Sequence, residues 1–268
     1  MRKSFLLKLF IGSGLVFSLL ASCKDDSNLR NASPVADQSF VQEFDTLQAA
    51  LNQGWKLVNR SMPIGRQGWI QGNSPFAQAT YSAYSSKATR EGFITSDYTS
   101  AEANVKPSTE SNFLISPSII LQNGDKIIFY TRESDSISRW ADRLQVCYNS
   151  LGDDFTNAGH GVDPGGFNQI LLDINANYAS GFTIGQPAVS PFDPDIFYFP
   201  NNALAYPRQW TRFEATVSNL PAPFRTRFAF RHFVQYGGNL SNSTAYTVGD
   251  RGDVISIDSV AFVSVNHK

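Results

Sequence analysis

The sequence predicts an all-β protein, a sandwich of two antiparallel sheets, and three observations support this prediction. Short runs of β-branched and aromatic residues recur along the chain, and turn-forming Gly, Pro, Asn and Asp residues separate them. No long segment repeats its apolar residues with helical spacing. Aromatic residues make up 13% of the chain, and their flat rings pack well on the pleated surface of a sheet.

The centre of the predicted sandwich is the segment 111–132. The stretches 111–117 and 119–132 contain two apolar runs, and an Asn-Gly-Asp turn at 123–125, which suits a tight hairpin, separates them. The two runs are therefore expected to pair as antiparallel core strands. Pro117 has no amide hydrogen to donate, so the first strand should bend or lie near a sheet edge at that point.

The remaining elements follow from the same signals. A short helical or irregular piece is expected at 47–51, a buried aromatic residue at Trp69 and a polar loop at 95–109. Strands with no long helix between them favour two packed sheets. The further predicted strands are 40–45, 54–59, 76–86, 144–148, 168–174, 210–217, 225–234 and 254–265.

Length and charge limit the class of protein. A chain of 268 residues, 42% of them hydrophobic, can bury one large β domain or two small ones. The formal net charge is −1, and nothing in the composition provides the basic face that a nucleic-acid partner requires. No nucleic-acid partner is therefore expected.

The N-terminus carries a targeting signal. Arg2, Lys3 and Lys8 accompany a short apolar run, 9–20, which glycines interrupt and which is too short to span a membrane comfortably. Residues 1–22 are predicted to be a signal peptide. The run ends in Leu-Ala-Ser-Cys, which resembles the lipobox of bacterial lipoproteins, so Cys23 is predicted to be acylated. The alternative is an ordinary signal peptide that happens to contain a cysteine.

Residues 23–38 are polar and lack periodicity, and they are predicted to form a flexible tether between a lipid anchor and one folded domain, 39–268. The acidic run 24–27 resembles the export signal of Bacteroidetes surface lipoproteins. An outer-membrane lipoprotein exposed at the cell surface is therefore expected. The alternative is a solvated tether that carries no targeting signal.

Cysteine usage agrees with this organisation. If Cys23 is acylated, Cys147 has no partner for an intramolecular disulfide. Cys147 lies in an alternating strand pattern, which predicts a buried and unreactive thiol.

A series of short motifs resembles one family when the motifs are taken in order along residues 40–265. They include Phe44-Asp45, Gly54-Trp55, Asn112-Phe113-Leu114-Ile115-Ser116-Pro117, Asp142-Arg143-Leu144-Gln145-Val146, Arg227-Phe228-Ala229-Phe230-Arg231 and Ile257-Asp258-Ser259-Val260. This order is similar to that of choice-of-anchor J domains, relatives of the cleaved-adhesin domain. The resemblance implies a jelly-roll β-sandwich, akin to galactose-binding and MAM-like domains, on a surface-anchored bacterial protein that binds glycan or a protein partner.

An unusually long insertion relative to that family separates residues 175 and 206. Prolines and the acids Asp193 and Asp195 alternate there with aromatic residues, and such loops suit sugars, whose apolar faces stack on rings while hydroxyls bond to acids. A loop that folds its rings over a sheet as a local core is the alternative. The predicted ligand-binding residues are Phe192, Phe197, Tyr198, Phe199 and Tyr206.

The resemblance also implies a structural calcium ion. An acid on the first strand and one on the last can help hold calcium in related jelly rolls, and Glu43 or Asp45 with Asp258 are the matching positions. Alternatively, Asp258 accepts hydrogen bonds from backbone amides at the end of its strand.

No sequence motif indicates catalysis. The chain has three histidines, no serine-nucleophile elbow, no zinc-binding His-Glu-x-x-His and no phosphate-binding glycine loop. Glu133 and Glu214 are candidates for a glycosidase pair, but nothing in the sequence brings them together. The predicted function is a non-catalytic surface module that binds glycan or a protein partner. A structural subunit of a surface complex and a carbohydrate-active hydrolase are the alternatives.

Overall fold

The structure of the protein is a computed structural model. It describes residues 35–72, 81–84, 92–102, 108–134, 142–177, 182–184, 196–198, 205–235 and 252–265, with only the backbone described for 182–184 and 196–198. The predicted signal peptide, Cys23 and most of the predicted tether lie outside these ranges. Among the described residues, no helix has the length and apolar character needed to cross a membrane.

Nearly all regular structure in the described residues is strand, and the chief exception is a six-residue helix, α1 (Leu47–Asn52). The strands are β1 (Phe40–Gln42), β2 (Lys56–Asn59), β3 (Ile70–Gln71), β4 (Ile94–Asp97), β5 (Thr109–Ile115), β6 (Ile119–Leu121), β7 (Lys126–Glu133), β8 (Leu144–Tyr148), β9 (Gln169–Ile174), β10 (Phe182–Ile184), β11 (Ile196–Tyr198), β12 (Thr211–Thr216), β13 (Phe224–Thr226), β14 (Phe228–Gln235) and β15 (Val254–Val263).

The strands form two large antiparallel sheets. The six-stranded sheet has the order β12-β7-β15-β4-β3, with β1 also paired to β15, and the five-stranded sheet has the order β2-β5-β14-β8-β9. Most connections along the chain cross between the two large sheets, among them those from β4 to β5, β5 to β7, β7 to β8, β9 to β12, β12 to β14 and β14 to β15. The orders β4-β15-β7-β12 and β5-β14-β8-β9 are those of an eight-stranded jelly roll. The predicted all-β jelly-roll sandwich is confirmed.

The core lies between the two sheets because each strand alternates its side chains. In β7, Ile127 and Phe129 are fully buried, whereas Ile128 and Tyr130 are only partly buried. Facing strands contribute Leu114, Val146 and Phe230 to the same cluster. Trp69 is buried there as predicted, and its indole nitrogen donates to the carbonyl of Asn112.

The predicted hairpin at 111–132 is wrong in its pairing. Both runs form strands and Gly124 turns the chain with φ of 93°, but β5 belongs to the five-stranded sheet and β7 to the six-stranded one. In a jelly roll such consecutive strands lie on opposite sides of the core, so the long connection crosses the sandwich. Strand β5 lies inside its sheet, between β2 and β14, and it ends at Ile115, before Pro117.

Two further segments differ from prediction. The expected loop at 95–109 contains most of β4, a short strand inside the six-stranded sheet whose four residues are all buried. Of the strand expected at 76–86, the described residues 81–84 form no strand and lie against the six-stranded sheet instead. Small polar residues in β4 hide its periodicity, because Ser96 is buried through hydrogen bonds rather than through apolar packing.

The outer face of the five-stranded sheet is covered by the chain itself. The segment 149–167 lies over it, and Phe167 and Ala158 pack with Phe113 and Cys147 into a second apolar cluster. Arg231 is fully buried in this layer, where its Nη2 donates to the carbonyl of Gly161 at 2.6 Å.

Candidate functional site

The outer face of the six-stranded sheet is only half covered by the described residues. Over β4 and the first half of β15, Tyr81 stacks on Phe93, and Trp210 donates from its indole to the carbonyl of Ser82 at 2.9 Å. Beyond this cover the sheet carries side chains at the surface. Val41 is 58% exposed and Val263 is 39% exposed. We call this uncovered half the open face.

The register of the strands defines the rows of the open face. In one row, Val41 pairs with Ala261, Ala261 with Ile128, and Ile128 with Glu214. In the next row, Tyr130 pairs with Asp258 on one side and with Arg212 on the other. These residues alternate with core residues on their strands, so they share one surface.

A tyrosine pair stands at the border between the covered half and the open face. The ring of Tyr84 lies parallel to that of Tyr130, with ring centroids 3.5 Å apart, and Tyr84 is 41% exposed. The backbone nitrogen of Tyr84 donates to Oδ2 of Asp258 at 2.7 Å. Asp258 is itself fully buried, and its Oδ1 accepts from the nitrogen of Ser259. The carboxylate thus fixes the backbone that presents the Tyr84 ring.

Glu43 lies beside this pair. Strand β1 ends at Gln42, opposite Val260, so Glu43 comes next to the irregular stretch of β15 between Asp258 and Ala261. The pKa of the Tyr84 hydroxyl is raised by its hydrogen bond with Tyr130, then by burial and by the negative charges of Asp258 and Glu43. Oε2 of Glu43 is buried and has no hydrogen-bond partner among the described residues.

The far edge of the open face carries a small ionic network. The carboxylate of Glu214 on β12 accepts from Lys126 at 2.6 Å through Oε1 and from Arg212 at 2.8 Å through Oε2. These contacts lower the pKa of Glu214. Both cations of this edge are therefore paired with one carboxylate.

A second polar cluster lies between the two sheets and is closed to solvent. His232 on β14 and the carboxylates of Glu110 and Asp142 are all fully buried. Nε2 of His232 lies 3.3 Å from Oδ1 of Asp142 and 3.5 Å from Oε2 of Glu110, and Nδ1 lies 3.0 Å from Oγ of Ser96. The backbone nitrogen of Asp253, at the start of the last strand, donates to Asp142 at 2.9 Å.

The carboxylates of this cluster change the pKa of His232. Burial by itself lowers the pKa of His232, but the hydrogen bond with Asp142 and the negative charges of Glu110 and Asp142 outweigh it, so the pKa is raised. A protonated His232 joins the two sheets through Ser96 on one side and balances two buried carboxylates on the other. With no exposed surface, the cluster has a structural character.

The two glutamates weighed as a hydrolytic pair do not face each other. Glu133 alternates with the core residues of β7 and is fully buried on the inner side of the sheet. Glu214 is on the outer side of the same sheet, in the ionic network with Lys126 and Arg212. Two acids on opposite sides of one sheet cannot act together on a glycosidic bond.

Most of the predicted ligand-binding rings lie outside the described residues. Phe192 and Phe199 fall in undescribed segments, and for Phe197 and Tyr198 only the backbone of β11 is described. Tyr206 is described, and its assignment as a ligand-binding residue is wrong. The ring is 1% exposed within the core, and its hydroxyl lies 2.6 Å from Oγ1 of Thr131. An aromatic ring with a satisfied hydroxyl is stable inside the sandwich, so Tyr206 is a core residue.

The predicted calcium ligands are only partly brought together. Glu43 and Asp258 both lie near Tyr84, whereas Asp45 is exposed. Each oxygen of Asp258 accepts a hydrogen bond from a backbone nitrogen. Within the described ranges, no three or more Asp, Glu, His or Cys side chains form a group able to hold a metal ion. Calcium stays a prediction based on the resemblance.

Sequence reasoning missed the Tyr84–Tyr130 pair. Tyr130 alternates with the core residues of β7, and this pattern alone places it on an outer face. Tyr84 comes from a segment of small residues and tyrosines, and no periodicity predicts that it stacks on a strand about 46 positions away. The contact arises only when the sheet has formed.

The described residues form an all-β jelly-roll domain with a partly uncovered sheet, and solved structures with a similar arrangement are known. The structure is similar to the K1 cleaved adhesin domain of Lys-gingipain from Porphyromonas gingivalis W83, with 19% identity, a TM-score of 0.44, and coverage of 85% of this chain and 99% of that one. It is similar to the K3 cleaved adhesin domain of the same protein, with 17% identity, a TM-score of 0.44, and coverage of 85% and 100%.

A further solved structure is the C-terminal CBM6 of LamC from Zobellia galactanivorans, with 9% identity, a TM-score of 0.27, and coverage of 73% of this chain and 98% of that one. No protein-family profile matches the sequence, and no curated protein matches it. At these TM-scores the likenesses define neither the family nor the ligand of this chain. Membership of the choice-of-anchor J family stays a prediction.

Proposed function

We propose that this chain is a non-catalytic binding module that recognises glycan through groups carried on a jelly-roll sandwich. The observation that carries this proposal is the ribbon of β10 and β11, whose strands pair with each other and with no strand of the two large sheets described here. Phe182 is opposite Tyr198 in its register, and Thr183 is opposite Phe197. The aromatic insertion thus contributes a separate β element in place of another strand of the core.

Two physical arguments favour binding over catalysis. A sandwich with a continuous apolar core is a rigid support, and loops and ribbons on such a support are free to vary and to bind. Several of the described carboxylates are engaged in structural contacts, as in the network of Glu214 with Lys126 and Arg212 and in the backbone contacts of Asp258. Aromatic residues next to acids, as in the insertion, match the mixed apolar and polar surface of a sugar.

A glycan-array screen of the full chain, followed by calorimetric titration of each positive glycan, tests this proposal. Combined replacement of Phe197, Tyr198 and Phe199 by Ala should weaken binding by about 1 to 3 kcal/mol if the rings stack on sugar. The control is Leu151→Ala, because Leu151 is 71% exposed in a turn of the other sheet's cover. Absence of glycan binding, with one stoichiometric protein partner recovered from the native envelope, would favour the protein-binding or structural alternative.

The cellular setting is a separate part of the proposal. Acylation of Cys23 would tether the domain to the outer membrane, and residues 24–38 would hold it away from the lipid surface. Metabolic labelling with a palmitate analogue should mark the wild-type chain and leave Cys23→Ala unlabelled. Digestion of intact cells with an external protease should remove the domain if it is surface-exposed, and full protection would place it inside the envelope.

Calcium is a further proposal from the resemblance, with Glu43, Asp45 and Asp258 as its residues. An ion that binds the folded state and not the unfolded one raises the melting temperature in proportion to its affinity. Thermal unfolding in millimolar calcium and in EGTA should therefore give a higher Tm in calcium. Equal Tm values in the two conditions would remove calcium from the description.

A further inference from the structure

The open face differs from an ordinary solvated sheet surface. It combines the aliphatic row of Val41, Ala261 and Ile128 with the exposed ring of Tyr84 at one end. The other half of the same sheet is covered by Tyr81, Phe93 and Trp210. The boundary between cover and open surface runs at the Tyr84–Tyr130 stack, so the aliphatic row has an aromatic border.

The exposed ring is held before any ligand arrives. Tyr84 stacks on Tyr130 at 3.5 Å, and its backbone nitrogen is held by Asp258 at 2.7 Å. Tyr130 is in turn fixed by the pairing of β7 with β12 and β15. A ring whose orientation is already set loses little conformational freedom when a ligand stacks on it.

A polar acceptor lies within the same site. Oε2 of Glu43 is buried and has no hydrogen-bond partner among the residues described. A carboxylate without a donor is costly where it is shielded from water, and the Glu43 side chain is only partly buried, so a donor on a ligand can approach the carboxylate and reduce that cost. Aromatic surface next to an unused acceptor suits a molecule that has both C–H faces and hydroxyl donors.

The charges of the face select among such molecules. At the far edge Lys126 and Arg212 share the one carboxylate of Glu214, and Arg132 lies over the ring of Tyr81 in the covered half, so the charges nearest to Tyr84 are those of carboxylates. Glu43 and Asp258 add negative charge near the ring. Sugars that carry carboxylate or sulfate groups would meet repulsion there, whereas neutral hexoses would not.

We propose that the open face is a binding site for a neutral hexose glycan, with one pyranose ring stacked on Tyr84 and one sugar hydroxyl donating to the carboxylate of Glu43, whose side chain is partly exposed. The next sugar unit lies over Ile128 and Ala261. This site rests on the proposed class of function, glycan binding, but it uses none of the residues of the aromatic insertion at 178–206.

The test uses the full chain and immobilised oligosaccharides in two sets, neutral hexose oligomers and oligomers that contain uronic or sialic acid. Wild type should bind members of the neutral set and none of the acidic set. Tyr84→Ala should weaken neutral binding at least about tenfold because the stacking surface is gone. Tyr84→Phe keeps the ring and loses only the hydroxyl, so its affinity should stay within about twofold of wild type.

Glu43→Gln gives an independent readout, because it removes the charged acceptor without disturbing the stacked ring. Its affinity should fall by about three- to tenfold. Ile170→Ala is the matched control, since Ile170 is a comparably exposed apolar residue on β9 of the other sheet and should not change binding. Unfolding curves of every variant separate a lost contact from a lost fold.

The outcomes distinguish this site from the insertion. If replacement of Phe197, Tyr198 and Phe199 abolishes binding while Tyr84→Ala and Glu43→Gln bind as wild type does, the open-face site is wrong and the proposed function stands. If wild type binds only acidic oligosaccharides, the open-face site is wrong and the proposed function stands, and if it binds neither set, both are wrong. A calcium ion held by Glu43 and a hydroxyl that donates directly to Glu43 exclude each other, so this site requires any calcium to use Asp45 in place of Glu43, and titrations repeated in EGTA should give the same affinity. A loss of affinity in EGTA alone would mean that a cation occupies Glu43, which overturns the direct hydroxyl contact.

Discussion

The two outer faces of this sandwich are built differently. Over the five-stranded sheet, Phe167 and Ala158 seal Phe113 and Cys147 beneath a second apolar layer, and even Arg231 is withdrawn from water. Over the six-stranded sheet, the described cover stops at Tyr84, and Val41 remains 58% exposed. The first face therefore contributes to stability, whereas the second is available for contacts with other molecules. A sandwich needs only its inner faces to fold, so one outer face can serve recognition.

The largest expected loss of stability comes from a substitution in the covered face. Phe167 is fully buried, and its ring centroid lies 5.7 Å from that of Phe113. Phe167→Ala should cost about 3 to 5 kcal/mol of unfolding free energy because it leaves a cavity under the covering segment. Urea unfolding measures this cost. A loss below about 1 kcal/mol would mean that the cover contributes little to stability.

The thiol of Cys147 reports whether the cover stays closed. Burial raises the pKa of Cys147 to about 12, so the reactive thiolate is scarce and the sulfur is out of reach of reagents. Alkylation of native protein at pH 8 should be at least on the order of 100-fold slower than in denaturant. Mass spectrometry follows the reaction, and Phe167→Ala should accelerate it. Rapid alkylation of the native wild type would contradict a sealed face.

The pH dependence of stability tests the buried cluster of His232, which joins the two sheets. The folded-state pKa of His232 is raised, so its contribution to stability is present below the ordinary histidine pKa. That contribution is lost as pH rises through the raised folded-state value. Urea midpoints should therefore fall across this window in wild type.

The control for this titration is His232→Gln, which keeps a hydrogen-bonding side chain but cannot take up a proton. Its stability should be lower at acidic to neutral pH and should show a flatter profile across the same window. Parallel profiles for wild type and variant would exclude His232 as the titrating group.

The smallest expected effect comes from the open face. Val41→Ala removes two methyl groups from a side chain that is mostly exposed already, so the unfolding free energy should change by about 0.5 kcal/mol or less. Urea unfolding of this variant and of Phe167→Ala compares how much each outer face contributes to the free energy of unfolding. A cost near that of Phe167→Ala would show that Val41 is covered in solution.

Local patterns predicted many of the elements and little of their pairing. The sequence patterns at 144–148 and 254–265 predicted β8 and β15, because successive side chains of a strand point to opposite faces of the sheet. The Asn-Gly-Asp turn correctly marked a change of direction, yet β5 and β7 do not pair. Turn chemistry acts over a few residues, whereas the choice of partner depends on how all the strands share one core.

The candidate site was predicted less well for the same reason. Tyr206 is an aromatic residue of the kind that binds ligands at a surface. In the structure its ring is buried in the core, and its hydroxyl forms a hydrogen bond with Thr131. Tyr84 and Glu43 are far apart in sequence, and neither lies in a motif. They lie close together only because β1 pairs with β15 and the segment 81–84 lies on the sheet.

By itself, the sequence determined the all-β class, the positions of most strands and the burial of Trp69 and Cys147, because alternation and turn residues act locally. Only the tertiary structure decided that consecutive strands cross between sheets, that His232 and two acids meet in the interior, and that one outer face is sealed while the other carries Tyr84. These outcomes depend on contacts between residues far apart in the chain, and such contacts exist only when the whole sandwich has closed.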